Sequence, residues 1–266
     1  MSAAASLDDL LAAFDAAGGT EADYLRQHHP RMAATWTAYA TGPRGGQRGR
    51  LLDIGSHWLH QALIWRRQGF AVTAVDVAAT VADPRVQRLA AMHGIGLHEN
   101  PSLEHPEGLA SLPDDGYDLI LMTEVIEHLA FNPLPLWRQL YRLLAPGGVI
   151  VLTTPNYYAL RGRAWRWRRF LTGRGGGLTV REILTVPSFG HHWREFALAE
   201  LRDYVDLLSP DLRIERALRL PRRYQRPRIG PVLDLVERLL PPLRDQLYLE
   251  IGLPAKRRGI TATAAW

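Results

Sequence analysis

The chain of 266 residues contains no cysteine. That excludes a disulfide framework, a zinc–thiolate centre and a thiol nucleophile. Lysine is almost absent too: of the 32 basic residues only Lys256 is not arginine, so the placement of the arginines says more than their number. No uncharged apolar run reaches the roughly 18 residues of a membrane span. The opening stretch from Met1 to Gly19 carries Asp8, Asp9 and Asp15 and no basic n-region. A secretory leader is therefore not expected, and a cytoplasmic protein is. Hydrophobic content of 47% and charged content of 22% leave an ordinary globular chain, long enough for one α/β domain with additions.

The most informative stretch runs from Arg50 to Val77. Leu51 and Leu52 open an apolar run that stops at Asp53-Ile54-Gly55, and Leu59 to Trp65 has apolar residues at helical spacing. Phe70, Val72 and Val75 then lead to one acid, Asp76. This reads as strand, turn, helix, strand: a βαβ unit that needs a parallel sheet and places ligands at the carboxyl ends of its strands. Asp76 lies 23 positions after Asp53, close to the spacing at which an acid takes ribose hydroxyls. The dinucleotide fingerprint G-x-G-x-x-G fails, because Ser56, His57, Trp58, Leu59 and His60 follow Gly55.

Before this unit, Leu7, Leu10, Leu11 and Phe14 form one helical face closed by Gly18-Gly19, and a second helix is expected from Glu21 to Tyr39. Beyond it, a helix is expected from Pro84 to Met92 and a short strand from Gly96 to His98. A buried strand from Tyr117 to Met122 runs into Thr123-Glu124-Val125-Ile126-Glu127-His128. A helix is expected from Leu136 to Leu144, a sharp turn at Ala145-Pro146-Gly147-Gly148, and a strand from Val149 to Leu152. The end of the chain reads as a helix from Leu198 to Leu208, then strands from Leu212 to Leu220 and from Gln246 to Leu253.

The acid two residues before Gly55, with DGYDLI, EVIEHL, LLAPGGVIVLTTPN and HHWREFALAEL in that order, resembles class I S-adenosylmethionine (SAM)-dependent methyltransferases. The resemblance covers Arg50 to Leu208. It is to the branch with ubiquinone-pathway O-methyltransferases and bacterial methyltransferases of small molecules and glycans. It implies an α/β fold with a Rossmann-like seven-stranded, mostly parallel sheet in order 3-2-1-4-5-7-6, strand 7 antiparallel, and helices on both faces. Residues 1–49 then form an N-terminal helical preface and 50–266 the methyltransferase domain, with insertions at 157–187 and 222–244. The family carries more glycine in its turn; here His57 and Leu59 stand where glycines are expected.

The resemblance implies SAM as cofactor. Asp53, Ile54, Gly55 and Ser56 would meet its methionine part, and Asp76 with Val77 its ribose. Asn100 would touch its adenine, and Met122, Thr123 and Glu124 its sulfonium side. His128 and His192 are the candidate bases, since imidazole titrates near neutrality, with His57 behind them. Glu124, Glu127 and His128 stand at i, i+3 and i+4, a spacing that puts O and N ligands on one helical face, and His57 and His60 stand at i and i+3. Neither set has enough ligands, and no metal is expected. Arg194 and Glu195 are expected to form a structural ion pair.

Arg161, Arg163, Arg166, Arg168, Arg169 and Arg174 interleave with Trp165, Trp167 and Phe170, and more arginines follow from Arg213 to Arg228. Arginine with tryptophan suits an anionic headgroup boundary. The expected acceptor is a small molecule or a glycan, lipid-linked forms included, with peripheral contact at an anionic membrane. Nucleic acid is not expected, because no RNA-binding motif accompanies the charge. The alternatives are an RNA methyltransferase and a methyltransferase fold that binds without catalysing.

Overall fold

The computed structural model describes residues 5–19, 22–160, 191–221 and 230–263. The Arg/Trp stretch and the first part of the 222–244 insertion lie outside them. Two helices, α1 (Leu7–Ala16) and α2 (Ala22–Ala40), precede the βαβ unit β1 (Arg50–Ile54), α3 (His60–Arg67) and β2 (Ala71–Asp76). Then come α4 (Ala78–Val81), α5 (Pro84–His93), β3 (Gly96–Glu99), β4 (Tyr117–Thr123), α6 (Leu134–Leu143) and β5 (Leu144–Pro155). The described chain closes with α7 (Leu198–Leu208), β6 (Arg213–Leu220), α8 (Gly230–Leu239) and β7 (Gln246–Gly252).

The strands form one sheet in order β3-β2-β1-β4-β5-β7-β6. β1 to β5 pair in parallel, and β7 runs antiparallel to both β5 and β6. This is the expected topology. β5 starts earlier than the sequence suggests: Leu144 pairs with Tyr117 before a register shift, and the Pro146-Gly147-Gly148 turn lies inside the strand. Gly147, at φ 82°, absorbs that irregularity.

Alternation along the central strands divides the core in two. Leu119 and Leu121 of β4, with Leu51, Val149 and Val151, pack beneath α1, α2, α3 and α5. Ile120 and Met122, with Leu52, Ile150 and Leu152, pack beneath α6 and α7. The N-terminal helices are thus part of the main core. Trp36 of α2 is buried and stands edge-on to Trp65 of α3, ring centroids 5.1 Å apart. Tyr39 lies 4.9 Å from the same indole. No helix among the described residues is long and apolar enough to cross a membrane.

Because Trp36 fills the space between α2 and α3, Trp36→Ala is expected to lower unfolding free energy by about 3–5 kcal/mol. Urea denaturation measures it; an unchanged midpoint would detach the N-terminal helices from the core.

Candidate active site

The carboxyl edge of the sheet collects four strand ends: Gly55 after β1, Val77 after β2, Glu124 after β4 and Asn156 after β5. The first turn is pinned to β2, since the Gly55 and Ser56 N–H groups both donate to the Val75 carbonyl, at 2.9 and 3.1 Å. Gly55, His57 and Leu59 all have left-handed φ, at 72°, 48° and 64°. The two positions where glycine is expected thus take the glycine conformation without glycine, at a cost of roughly 1–2 kcal/mol each. Local contacts offset it. The His57 N–H donates to Asp76 Oδ2 at 2.7 Å, and its ring lies 5.2 Å from that of Tyr24 on α2. Leu59 is buried. Trp58 lies under the Arg85 guanidinium, 4.5 Å from ring to Cζ.

Asp76 also accepts the Val77 N–H, at 2.8 Å, so its carboxylate is oriented by two backbone donors. Asn100 follows β3; its N–H donates to the Asp76 carbonyl at 3.0 Å and its Nδ2 to the Ser102 carbonyl at 2.8 Å. Its Oδ1 is buried with no hydrogen-bond partner among the described residues. Both carboxyl oxygens of Asp53 share that condition. Burial, reinforced by the charge of Asp76 and only partly opposed by the nearby Ala62 N–H, pushes the Asp53 carboxyl up to about 8. Ile54 and Met122 send their side chains into the core, so they reach the edge only through backbone. Ser56 is buried, Thr123 half-buried and Val77 exposed.

Sequence reasoning missed Arg31. It sits on the inward stripe of α2 with Tyr24 and Thr35, and its Nη1 meets Glu124 Oε2 at 2.5 Å. Its Nε is buried with no hydrogen-bond partner among the described residues. The only sequence signal is an arginine at helical spacing among residues that face inward. Glu124 leaves β4 with φ 58° and turns its carboxylate toward α2. Thr153 Oγ1 and Gln246 Nε2 donate to its Oε1, both at 3.1 Å. The helical face that the spacing of Glu124, Glu127 and His128 allows does not form: Glu124 precedes the 3₁₀ turn Ile126–His128 and is held elsewhere.

A different trio forms. Glu127 is fully buried and accepts the Thr154 hydroxyl at 2.9 Å; burial and the neighbouring Glu124 charge raise its carboxyl well above the usual range. Its carbonyl accepts the Trp193 N–H at 2.7 Å, which draws the segment from His191 to Glu195 over the site. His128 Nδ1 lies 2.9 Å from the His191 carbonyl. A carbonyl only accepts, so Nδ1 carries the proton and the neutral ring keeps its lone pair on Nε2. The His128 and His192 rings stand perpendicular, 4.7 Å apart. One donor atom from each of Glu127, His128 and His192 lies within 4.8 Å of the others, spacing that suits a divalent cation. The third donor comes from far along the chain, so spacing within EVIEH gave no sign of it. Arg194 pairs with Glu200 rather than Glu195: Glu200, which also accepts the Ala197 N–H at 2.8 Å before α7, draws it forward. Glu195 faces His192 instead, at 3.7 Å. The His57 and His60 rings lie 5.9 Å apart, and His60 also packs on Phe14 and Tyr24. Burial, then the charges of His57, His28 and Arg31, lower its imidazole to about 3.

The family model described as "Methyltransferase domain" covers residues 24–201. Malonyl-[acyl-carrier protein] O-methyltransferase of Serratia marcescens is 32% identical over 121 residues, 44% of this chain and 43% of that protein. Ubiquinone biosynthesis O-methyltransferase of Caulobacter sp. (strain K31) is 32% identical over 147 residues, 55% and 53% of the two. The chain thus spans about half the length of these curated relatives. An S-adenosylmethionine-dependent methyltransferase from Mesorhizobium loti shares the fold, with TM-score 0.54 at 20% identity over 83% of this chain and 98% of that one. Strand order, the acid-bearing turn and the family match agree: the chain belongs to the methyltransferase-domain family.

Proposed function

We propose that the protein is a SAM-dependent O-methyltransferase whose acceptor is a small molecule or a glycan, lipid-linked forms included, and that it works in peripheral contact with an anionic membrane. The observation that carries this reading is the His128–His192 pair at the end of β4, the strand beside β1, whose own end forms the Asp53–Gly55 turn. A proton acceptor and a nucleotide-type turn then share one crevice.

The donor set fits the cofactor. Asp53, a buried carboxyl that only the Ala62 N–H approaches, without a well-formed hydrogen bond, suits an ammonium group. Arg31, with an unpartnered buried Nε, suits a carboxylate. These two would take the zwitterionic methionine part beside Gly55 and Ser56, Asp76 the ribose hydroxyls, and Asn100 Oδ1 the adenine amine. Met122, Thr123 and Glu124 end the strand that would face the sulfonium. When bound, SAM supplies an electrophilic methyl group on a neutral leaving group. The protein aligns the acceptor, excludes water and removes a proton. In that work His128 Nε2 takes the acceptor's hydroxyl proton, while the His191 carbonyl fixes the tautomer through Nδ1–H. His192 packs edge-on and keeps the imidazole in place. A second reading has its own observation: Glu127, His128 and His192 place donor atoms within 4.8 Å of one another and would hold a divalent cation, whose chemistry would be to acidify the acceptor hydroxyl.

Three measurements test the scheme. Asp76→Ala should weaken SAM binding more than tenfold, since hydrogen bonds to a carboxylate are worth about 1.5–3 kcal/mol each; unchanged affinity in a folded variant puts the ribose elsewhere. His128→Ala should lower turnover by about 10²–10⁴-fold with SAM affinity intact. Chelation that stops the wild type, with recovery on added Mg²⁺, assigns the histidines to a cation instead.

The pH dependence of stability is a further test. Asp53 has a folded value of about 8, above its unfolded value of roughly 3.9. The folded state therefore binds the extra proton. The stabilisation is complete below the unfolded value and is lost as pH rises through 8. Asp53→Asn should flatten that decline between pH 6.5 and 8.5 in urea unfolding. An unaltered slope would contradict a protonated Asp53.

A further inference from the structure

The Arg31 guanidinium is held by two of its nitrogens. Nη1 meets Glu124 Oε2 at 2.5 Å, and Nη2 donates to the Tyr24 hydroxyl at 3.4 Å. A guanidinium is a rigid planar fork, so fixing two nitrogens fixes the direction of the third. That third, Nε, is buried with no hydrogen-bond partner among the described residues. Tyr24 packs among the rings of His28, His57 and His60, at 4.1, 5.2 and 5.3 Å. It therefore ties Arg31 to the turn that follows β1.

Glu124 is the other anchor, and its place is set from two further strands. Thr153, near the end of β5, binds it twice. The Thr153 carbonyl accepts the Glu124 N–H at 2.8 Å, which holds the left-handed backbone at φ 58°, and Oγ1 donates to Glu124 Oε1 at 3.1 Å. Gln246, the first residue of β7, donates Nε2 to the same oxygen at 3.1 Å. Both side chains lie on the α2 side of the sheet, two positions from Val151 and Tyr248 of the core cluster there. Thr153 is fully buried and Gln246 is 2% exposed. The Gln246 Oε1 is buried with no hydrogen-bond partner among the described residues, a cost that a methionine of similar length would not carry. What glutamine supplies over methionine is the donor to Glu124.

We infer that Thr153 and Gln246 are positioning residues for the cofactor. Through Glu124 they aim the Arg31 Nε–H at the carboxylate of the methionine part of SAM, so that selection of a ligand bearing an amino acid depends on the last strand of the sheet. This deepens the proposed function and rests on it for the identity of the ligand. The route runs from Thr153 and Gln246 to Glu124, from Glu124 to Arg31, and from Arg31 to the ligand. Removing either donor leaves a buried carboxylate oxygen short of a hydrogen bond. Glu124 then shifts, and Arg31 shifts with it. A hydrogen bond weakens steeply as it bends, so a turned guanidinium loses its hold on a carboxylate while the adenosine and ammonium contacts stay in place.

Calorimetric titration of the full chain with SAM and with decarboxylated SAM tests it. The second ligand keeps the adenosine, the sulfonium and the ammonium and lacks only the carboxylate. The wild type should prefer SAM by about tenfold or more, as charge-assisted hydrogen bonds to a carboxylate require. Thr153→Val, close in shape but without the hydroxyl, should lose about tenfold in SAM affinity and bind decarboxylated SAM as the wild type does. Gln246→Met should do the same, and it carries the test where Thr153→Val does not fold. Thr153→Ser, which keeps the hydroxyl, should restore the preference. A role confined to stability moves the urea midpoint and changes both affinities together or neither. Equal weakening for the two ligands therefore overturns the inference. So does an undiminished preference in the Val and Met variants, or a Ser variant that fails to recover it. A wild type that binds SAM without preferring it takes Arg31 off the carboxylate and overturns the inference alone. A wild type that binds neither ligand overturns the methyltransferase reading, and the inference with it.

Discussion

Arg31 and Glu124 meet almost out of solvent, their side chains 10% and 14% exposed, and the organisation of the carboxyl edge depends on that contact. It joins the N-terminal helices to the end of β4. A buried ion pair is not in itself a large source of stability, because desolvation opposes the attraction. Its effect here is on arrangement. Glu124 and Glu127 sit close enough for the charge of one to raise the other's carboxyl, and Arg31 takes up Glu124 while Thr154 holds Glu127. With Glu124 turned toward α2, Glu127 is left to face His128 and His192.

The same edge holds most of the backbone strain among the described residues. Of four non-glycine residues with positive φ, His57, Leu59 and Glu124 lie there; the fourth, Asp115, lies before β4. Buried polar atoms without a hydrogen bond gather there too, the Asp53 carboxyl oxygens and Arg31 Nε. Both are costs that a well-packed fold avoids without a ligand to offset them. A zwitterionic ligand answers both groups together.

The strands were legible in the sequence as short, nearly continuous apolar runs, buried on both faces, and the resemblance supplied their order; Leu119 to Met122 alternate between the two core clusters. The left-handed turn was legible as two missing glycines, and His57 and Leu59 took the backbone those glycines would have taken. Long-range choices were not legible. Nothing local says that Glu124 prefers Arg31 to the Glu127–His128 turn, or that Arg194 turns to Glu200. His192 reaches His128 only because the Glu127 carbonyl holds the Trp193 N–H.

The central claim is that this turn, without its glycines, takes up SAM through Asp53 and Asp76. Calorimetric titration of SAM at pH 7, in two buffers of different ionisation enthalpy, tests it most directly. The account predicts one site per chain and release of about one proton, because a cationic ammonium beside Asp53 pulls its carboxyl down from about 8. No binding heat in either buffer, or binding with the same heat in both, would contradict it.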